Sequence, residues 1–279
     1  MSDYNEKMVP ILAPGGFPVW TGIPCGEMPT ETMIRRAQTI AGVKSDGMCG
    51  PATVAAIARY DKECIVGPKV PGIVVGAKWI PLPGFKVKTY LDDFTLAETT
   101  SQVRDIKPTL AVLHYDVTFS AESTHRVLKA RGLSTHFCID GDGTIIQHHD
   151  PASRRCSHAG STADRVSFGV DVNNVAEVKH RKRDGGRWGK ERDIHRLRVH
   201  GSPVDLLGYF PEQIRALKAL LWAVCPELGV RIRYPVSPSG GPLMSLFPEA
   251  REWNGIVGHH HLTERKIDPG PLPWDELLA

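Results

Sequence analysis

Ser134-Thr135-His136-Phe137-Cys138-Ile139-Asp140-Gly141-Asp142-Gly143-Thr144-Ile145-Ile146-Gln147 reads as a strand, a Gly-rich hairpin turn and a second strand. Upstream, Thr109-Leu110-Ala111-Val112-Leu113-His114 is a short continuous apolar run, the pattern of a buried central strand. His114 stands at its end, where functional groups collect in α/β sheets, although a lone histidine there is more often structural. Downstream, Ser167-Phe168-Gly169-Val170-Asp171-Val172-Asn173 is another apolar strand, interrupted by a carboxylate. Aspartate is disfavoured in strands, and burying its charge is costly without a partner. A metal site or a lysine near Asp171 would supply that partner. Residues 123–131 read as helical, and residues 211–224 as an amphipathic helix with Ile214, Leu217, Leu220, Leu221 and Val224 inward.

The second informative stretch is Gly258-His259-His260-His261-Leu262-Thr263-Glu264-Arg265-Lys266-Ile267-Asp268-Pro269-Gly270-Pro271. Imidazole and carboxylate suit a borderline cation such as Zn²⁺, whose catalytic sites use three protein ligands and leave a position for water. Lys266 lies two residues before Asp268, so in an extended loop both side chains leave on one side. The alternative is a solvated His-rich turn.

Composition limits the classes. The 279 residues, 41% hydrophobic and 23% charged, suit one large or two modest soluble domains. A net charge of +3 does not argue for nucleic acid, and no nucleic-acid partner is expected. No apolar run approaches the ~18 residues of a membrane span. The N-terminus lacks a basic n-region, so no signal peptide is expected. Six cysteines (25, 49, 64, 138, 156 and 225) form no C-x-x-C pair, and reduced, mostly buried thiols are the default. Cys25, Cys49 and Cys64 lie close enough in sequence for one disulfide in an oxidising compartment.

Ahead of these strands, residues 30–62 read as two short helices joined by Asp46-Gly47, with Gly50-Pro51 opening the second. Ile34-Arg35-Arg36-Ala37-Gln38, Asp46-Gly47-Met48-Cys49-Gly50-Pro51-Ala52-Thr53 and Ala56-Ile57 resemble the peptidoglycan-binding module of wall hydrolases. A helical hairpin that only packs on its neighbour is the alternative. The expected organisation is a module over 1–64, a Pro/Gly-rich linker over 65–100, with short strands packing on Trp79 as an alternative within it, and a second domain over 101–279. Residues 176–200 are rich in Lys, Arg and His and read as a solvated loop or as a basic rim that attracts an anionic polymer.

The ordered motifs L-H-x-x-x-T (113–118), S-x-H-F-x-I-D-x-D-G-T-I (134–145), H-A-G (158–160), S-x-G-V-D (167–171) and the closing G-H…K-x-D-P-G (258–270) resemble the zinc-dependent N-acetylmuramoyl-L-alanine amidases. That family includes bacteriophage lysins, bacterial recycling amidases and animal peptidoglycan recognition proteins. The resemblance implies an α/β (α+β) fold, a mixed β-sheet flanked by helices with a zinc groove. It implies Zn²⁺ held by His114, His259 and Asp268, with Lys266 as the catalytic lysine. Asp171 stands where the family usually carries Glu, and Thr135 where some relatives carry a catalytic Tyr. His136, His158 and Thr135 are expected to contact substrate. The His-to-Asp loop departs from the family's commonest spacing, which leaves His260 as the alternative to His259. The implied reaction is hydrolysis of the amide between N-acetylmuramic acid and L-alanine in peptidoglycan, by a monomer. With a wall-binding module and no signal peptide, the architecture resembles a phage endolysin, made in the host cytoplasm and released to the wall or periplasm at lysis. A cytoplasmic muropeptide-recycling amidase and a non-lytic recognition protein are the alternatives.

Overall fold

A computed structural model describes residues 70–76, 78–91, 96 and 101–278. The helical module expected over 1–64, and with it Cys25, Cys49 and Cys64, lies outside the described residues. The described chain opens with an antiparallel hairpin of β1 (Gly72–Val75) and β2 (Lys78–Pro81), followed by β3 (Val87–Thr89). These strands fall in the stretch read as a linker, yet they are part of the packed body. Ile73, Val75 and Leu82 join the main core, and β3 pairs in parallel with β7 (Ile145–Gln147). The Gln147 side chain reinforces the join, accepting from Val74 N–H at 2.8 Å and donating to Val74 O at 2.6 Å. Short β-branched runs between prolines thus carry the short strands allowed for this stretch, with Val74 paired to Trp79.

Next come β4 (Ser101–Val103), β5 (Leu110–Tyr115), α1 (Ala121–Ala130), β6 (Phe137–Ile139), then β7 and β8 (Arg154–Cys156). After them follow α2 (Ser161–Val166), β9 (Ser167–Val172), α3 (Arg181–Trp188), β10 (Ile194–Val199), β11 (Ser202–Leu207), α4 (Pro211–Leu228), β12 (Gly255–Gly258) and α5 (Trp274–Leu278). The main sheet has six strands in the order β12-β5-β9-β6-β7-β3. All pairs are parallel except the β6–β7 hairpin. The fold is therefore a mixed sheet flanked by helices.

Strand alternation decides which face carries chemistry. Ala111 and Leu113 of β5, Phe137 and Ile139 of β6, Phe168, Val170 and Val172 of β9, and Ile256 of β12 pack with α4 and α5 in one core. The opposite set, Leu110, Val112 and Val257, packs with Val166 and Leu262. His114 and Asp171 share the parity of that second set, so both project from the face opposite α4. α4 runs beyond the expected end at 224, because Cys225 and Leu228 extend its buried stripe through Pro226. Gly229, left-handed at φ 69°, then closes the helix.

The basic insertion is not uniformly a solvated loop. Arg192 and Asp184 form an ion pair at 2.7 Å, fully buried on both sides. The Arg192 guanidinium also donates to Gly208 O, Gln213 Oε1 and Asn173 O. Arg196 and Arg198 remain exposed on β10. At the tip of the β10–β11 hairpin, His200 and Gly201 take positive φ (50° and 79°), as a two-residue hairpin turn requires. There His200 N–H donates to Met244 O, and the His200 ring Nε2 lies 2.9 Å from Lys266 O.

Candidate metal centre and its surroundings

Because β5, β9 and β12 are parallel neighbours, their C-terminal ends meet at one edge of the sheet. His114 ends the buried part of β5, and Asp171 is its register partner on β9. Beyond β12 the chain turns through His259–His261. Gly258 is needed at that turn, since a Cβ there would stand 2.6 Å from the His260 ring and from Pro269. The sharp turn brings His259 and Asp268 onto His114.

Three atoms converge. His114 Nδ1 lies 3.0 Å from His259 Nδ1 and 2.9 Å from Asp268 Oδ2, and His259 Nδ1 lies 3.0 Å from the same oxygen. All three residues are buried, and among the described residues this is the group able to hold a metal ion. Burial would raise the Asp268 carboxyl, but the His114 and His259 rings beside it hold it well below the usual carboxylate range. Burial opposes a charge on His114, while the neighbouring Asp268 and Asp171 carboxylates lift its pKa above the ordinary imidazole value. Burial leaves His259 below that value. Two imidazole nitrogens and a carboxylate oxygen crowded to about 3 Å form an acceptor-rich cluster that a cation would relieve, and they are the donor types that zinc takes.

Of the three consecutive histidines, only His259 faces this cluster. His260 sits with Nδ1 3.0 Å from Asp268 O and Nε2 3.3 Å from Leu243 O. His261 accepts from Gly258 N–H through Nδ1 and therefore donates from Nε2 to Leu243 O at 2.7 Å. Asp171 is buried, and desolvation raises its pKa despite the His114 charge and a hydrogen bond from the Thr135 hydroxyl. Lys266 is exposed on the loop before Asp268, and its charge lowers the pKa of both His114 and His259.

The residues expected to contact substrate divide. His136 is fully buried. Its Nδ1 accepts from Gly169 N–H at 3.0 Å, so its Nε2 carries the hydrogen, which faces Arg154 O at 3.1 Å. Burial, then the Arg104 charge, push it down to about 3, so it is neutral and has no nitrogen left for a ligand. Thr135 is likewise buried, with its hydroxyl 3.5 Å from Phe137 O. Both residues lie just ahead of β6 and are buried rather than open to a substrate. His158 is half-buried and lies beside His114, with rings edge-to-face at 5.3 Å. Asp116, which no motif singles out, holds the loop after β5. Its carboxylate accepts from Thr118 N–H, Asn174 N–H, the Asn173 amide and the Thr124 hydroxyl, and burial pushes its pKa up to about 7. That bracket supports Val117, exposed at φ 52°.

The chain is 33% identical over 66 residues to a Rickettsia conorii protein assigned as an N-acetylmuramoyl-L-alanine amidase, a match covering 24% of this chain and 25% of that protein. The chain thus spans about a quarter of the length of that curated relative. Among solved structures it is similar to AmpDh3 from Pseudomonas aeruginosa, at 22% identity, 62% of this chain, 59% of that chain and a TM-score of 0.35. It is also similar to the endolysin of the Thermus scotoductus bacteriophage Ph2119, at 15% identity, 69% of this chain, 96% of that chain and a TM-score of 0.39. The profile of the N-acetylmuramoyl-L-alanine amidases matches residues 104–271, more than half of the sequence. That span begins ahead of β5 and closes just past Asp268, and the chain belongs to the N-acetylmuramoyl-L-alanine amidase family.

Proposed function

We propose that this chain is a zinc-dependent hydrolase of peptidoglycan that cuts the amide between the lactyl group of N-acetylmuramic acid and L-alanine of the stem peptide. One observation carries the reading: His114, His259 and Asp268 converge beside a buried carboxylate, Asp171, on the neighbouring strand. His114, His259 and Asp268 would hold the zinc, which when bound polarises a carbonyl and lowers the pKa of water. Asp171 acts as the general base, taking a proton from the attacking water and delivering it to the leaving amine. Its raised pKa brings it closer to the range such a proton carrier needs. Lys266 donates to the oxygen that gains negative charge in the transition state. In this reading residues 1–64 bind the wall, and the whole acts as a monomeric lysin reaching the wall from the host cytoplasm at lysis. No described helix is long and apolar enough to cross a membrane.

Mass spectrometry of purified sacculi digested with the full chain tests the reading. Release of stem peptides with a free L-alanine amine, abolished by a chelator and restored by zinc, is expected. Sacculi bound but uncut would replace the hydrolase with a recognition protein. Cleavage of soluble muropeptides alone would favour a recycling enzyme.

A further inference from the structure

His114 can offer a lone pair to a metal through Nδ1 only if its hydrogen sits on Nε2, and a chain of hydrogen bonds behind it dictates that choice. The Ser167 hydroxyl donates to Ala163 O at 2.7 Å, so its oxygen is an acceptor towards the His158 ring, 3.2 Å away at Nε2. His158 therefore carries its hydrogen on Nε2 and turns a bare Nδ1 to His114 Nε2, 3.1 Å away. The His114 hydrogen is thereby fixed on Nε2, and Nδ1 is left bare, facing His259 Nδ1 and Asp268 Oδ2.

The surroundings of His158 are built to hold it there. Asp164 Oδ1, at the start of α2, accepts from His158 N–H at 3.1 Å and from Ala159 N–H at 2.7 Å. The ring lies flat against β9 at Gly169, where a Cβ would stand 2.7 Å from His158 Cγ and Nδ1. Two sequence motifs thus receive a physical meaning: H-A-G supplies the ring, and S-x-G supplies its acceptor and the space it occupies.

We propose that His158 is a positioning residue that fixes the tautomer and ring orientation of His114 for metal binding, through the chain Ala163–Ser167–His158–His114. The proposal rests on the reading of His114 as a ligand. Outer partners of this kind typically change metal affinity by ~10–100-fold.

Competition of the zinc-loaded full chain against a chromophoric chelator tests it. His158→Phe keeps a ring of similar size without nitrogens and should weaken zinc retention ~10–100-fold. His158→Asn, whose amide oxygen can take the place of Nδ1 and accept from His114, should recover part of the loss, which a purely space-filling role would not allow. Gly169→Ala removes no polar atom but displaces the ring, and should weaken retention as well. Wild-type retention by both His158→Phe and His158→Asn would overturn the relay while leaving the metal centre standing. A wild-type chain that retains no zinc would sink the metal reading and the relay together.

Discussion

His259 and His261 are two residues apart, both buried, and both on the same turn after β12, yet only one faces the acidic cluster. The difference lies in what the backbone takes from each ring. His261 has both nitrogens engaged, by Gly258 N–H and Leu243 O, and burial followed by its neighbour His260 pushes its pKa down to about 3. His259 directs Nδ1 instead at His114 and Asp268. A histidine here is a ligand candidate because the chain leaves one nitrogen unclaimed, and sequence cannot show which nitrogen the backbone will claim.

The sharpest way to break this contrast is substitution at both positions. His259→Ala should abolish zinc retention and activity, whereas His261→Gln, able to accept from Gly258 and donate to Leu243, should keep zinc. Zinc per chain measured on the purified variants decides, and equal loss in both would erase the distinction. Asp171→Asn is nearly isosteric, so zinc content should survive while turnover falls by ~10²–10⁴. Near-wild-type turnover with zinc bound would remove the base from Asp171. Lys266→Ala should retain zinc and lower kcat by ~10²–10³, the cost of losing one oxyanion donor. A rise in KM at unchanged kcat would make it a substrate-binding residue instead.

His136 belongs with His261. His136→Phe leaves Gly169 N–H unpaired in the interior, which should cost ~1–3 kcal/mol. A lower denaturation midpoint with unchanged zinc retention is the expected pair of results, and loss of zinc without loss of stability would return His136 to the site. The carboxylates repeat the contrast more gently. Asp268 is held low by imidazoles, whereas burial pushes Asp150 up to about 6 despite hydrogen bonds from Gly76 N–H, Ala152 N–H and the Ser153 hydroxyl. Folded Asp150 keeps its proton to about pH 6, while the unfolded side chain releases it near ~4, so stability should fall as pH rises through that window. Asp150→Asn should remove that dependence, worth roughly 3 kcal/mol across the window. An unchanged profile of unfolding free energy against pH would refute the assignment.

Much of the sheet was legible because its central strands are continuous apolar runs: 109–114, 167–173 and the 134–147 hairpin need no tertiary knowledge to be read. The chemistry was legible because ligand-type residues stand at the ends of those runs. The remainder depended on contacts distant in sequence. Gly72-Ile73-Val74-Val75 looks like linker until Gln147 is seen bridging to Val74. Arg192 looks like one more charge in a basic run until Asp184, eight residues away, is seen buried against it. His136 lies in a recognisable motif, but its ring direction is set by Gly169 on another strand.

The order of strands across the sheet has a consequence for how the protein acquires its cluster. β5 and β12 are neighbours in space, and His114 is 145 residues from His259 and 154 from Asp268 along the chain. Pairings so distant close late, because the entropy of the intervening loop must be overcome before the contact gives anything back. A folding intermediate with β5 and β9 joined but β12 still loose would present His114 and Asp171 without their partners. The three residues able to hold a metal ion therefore come together only with the docking of the edge strand.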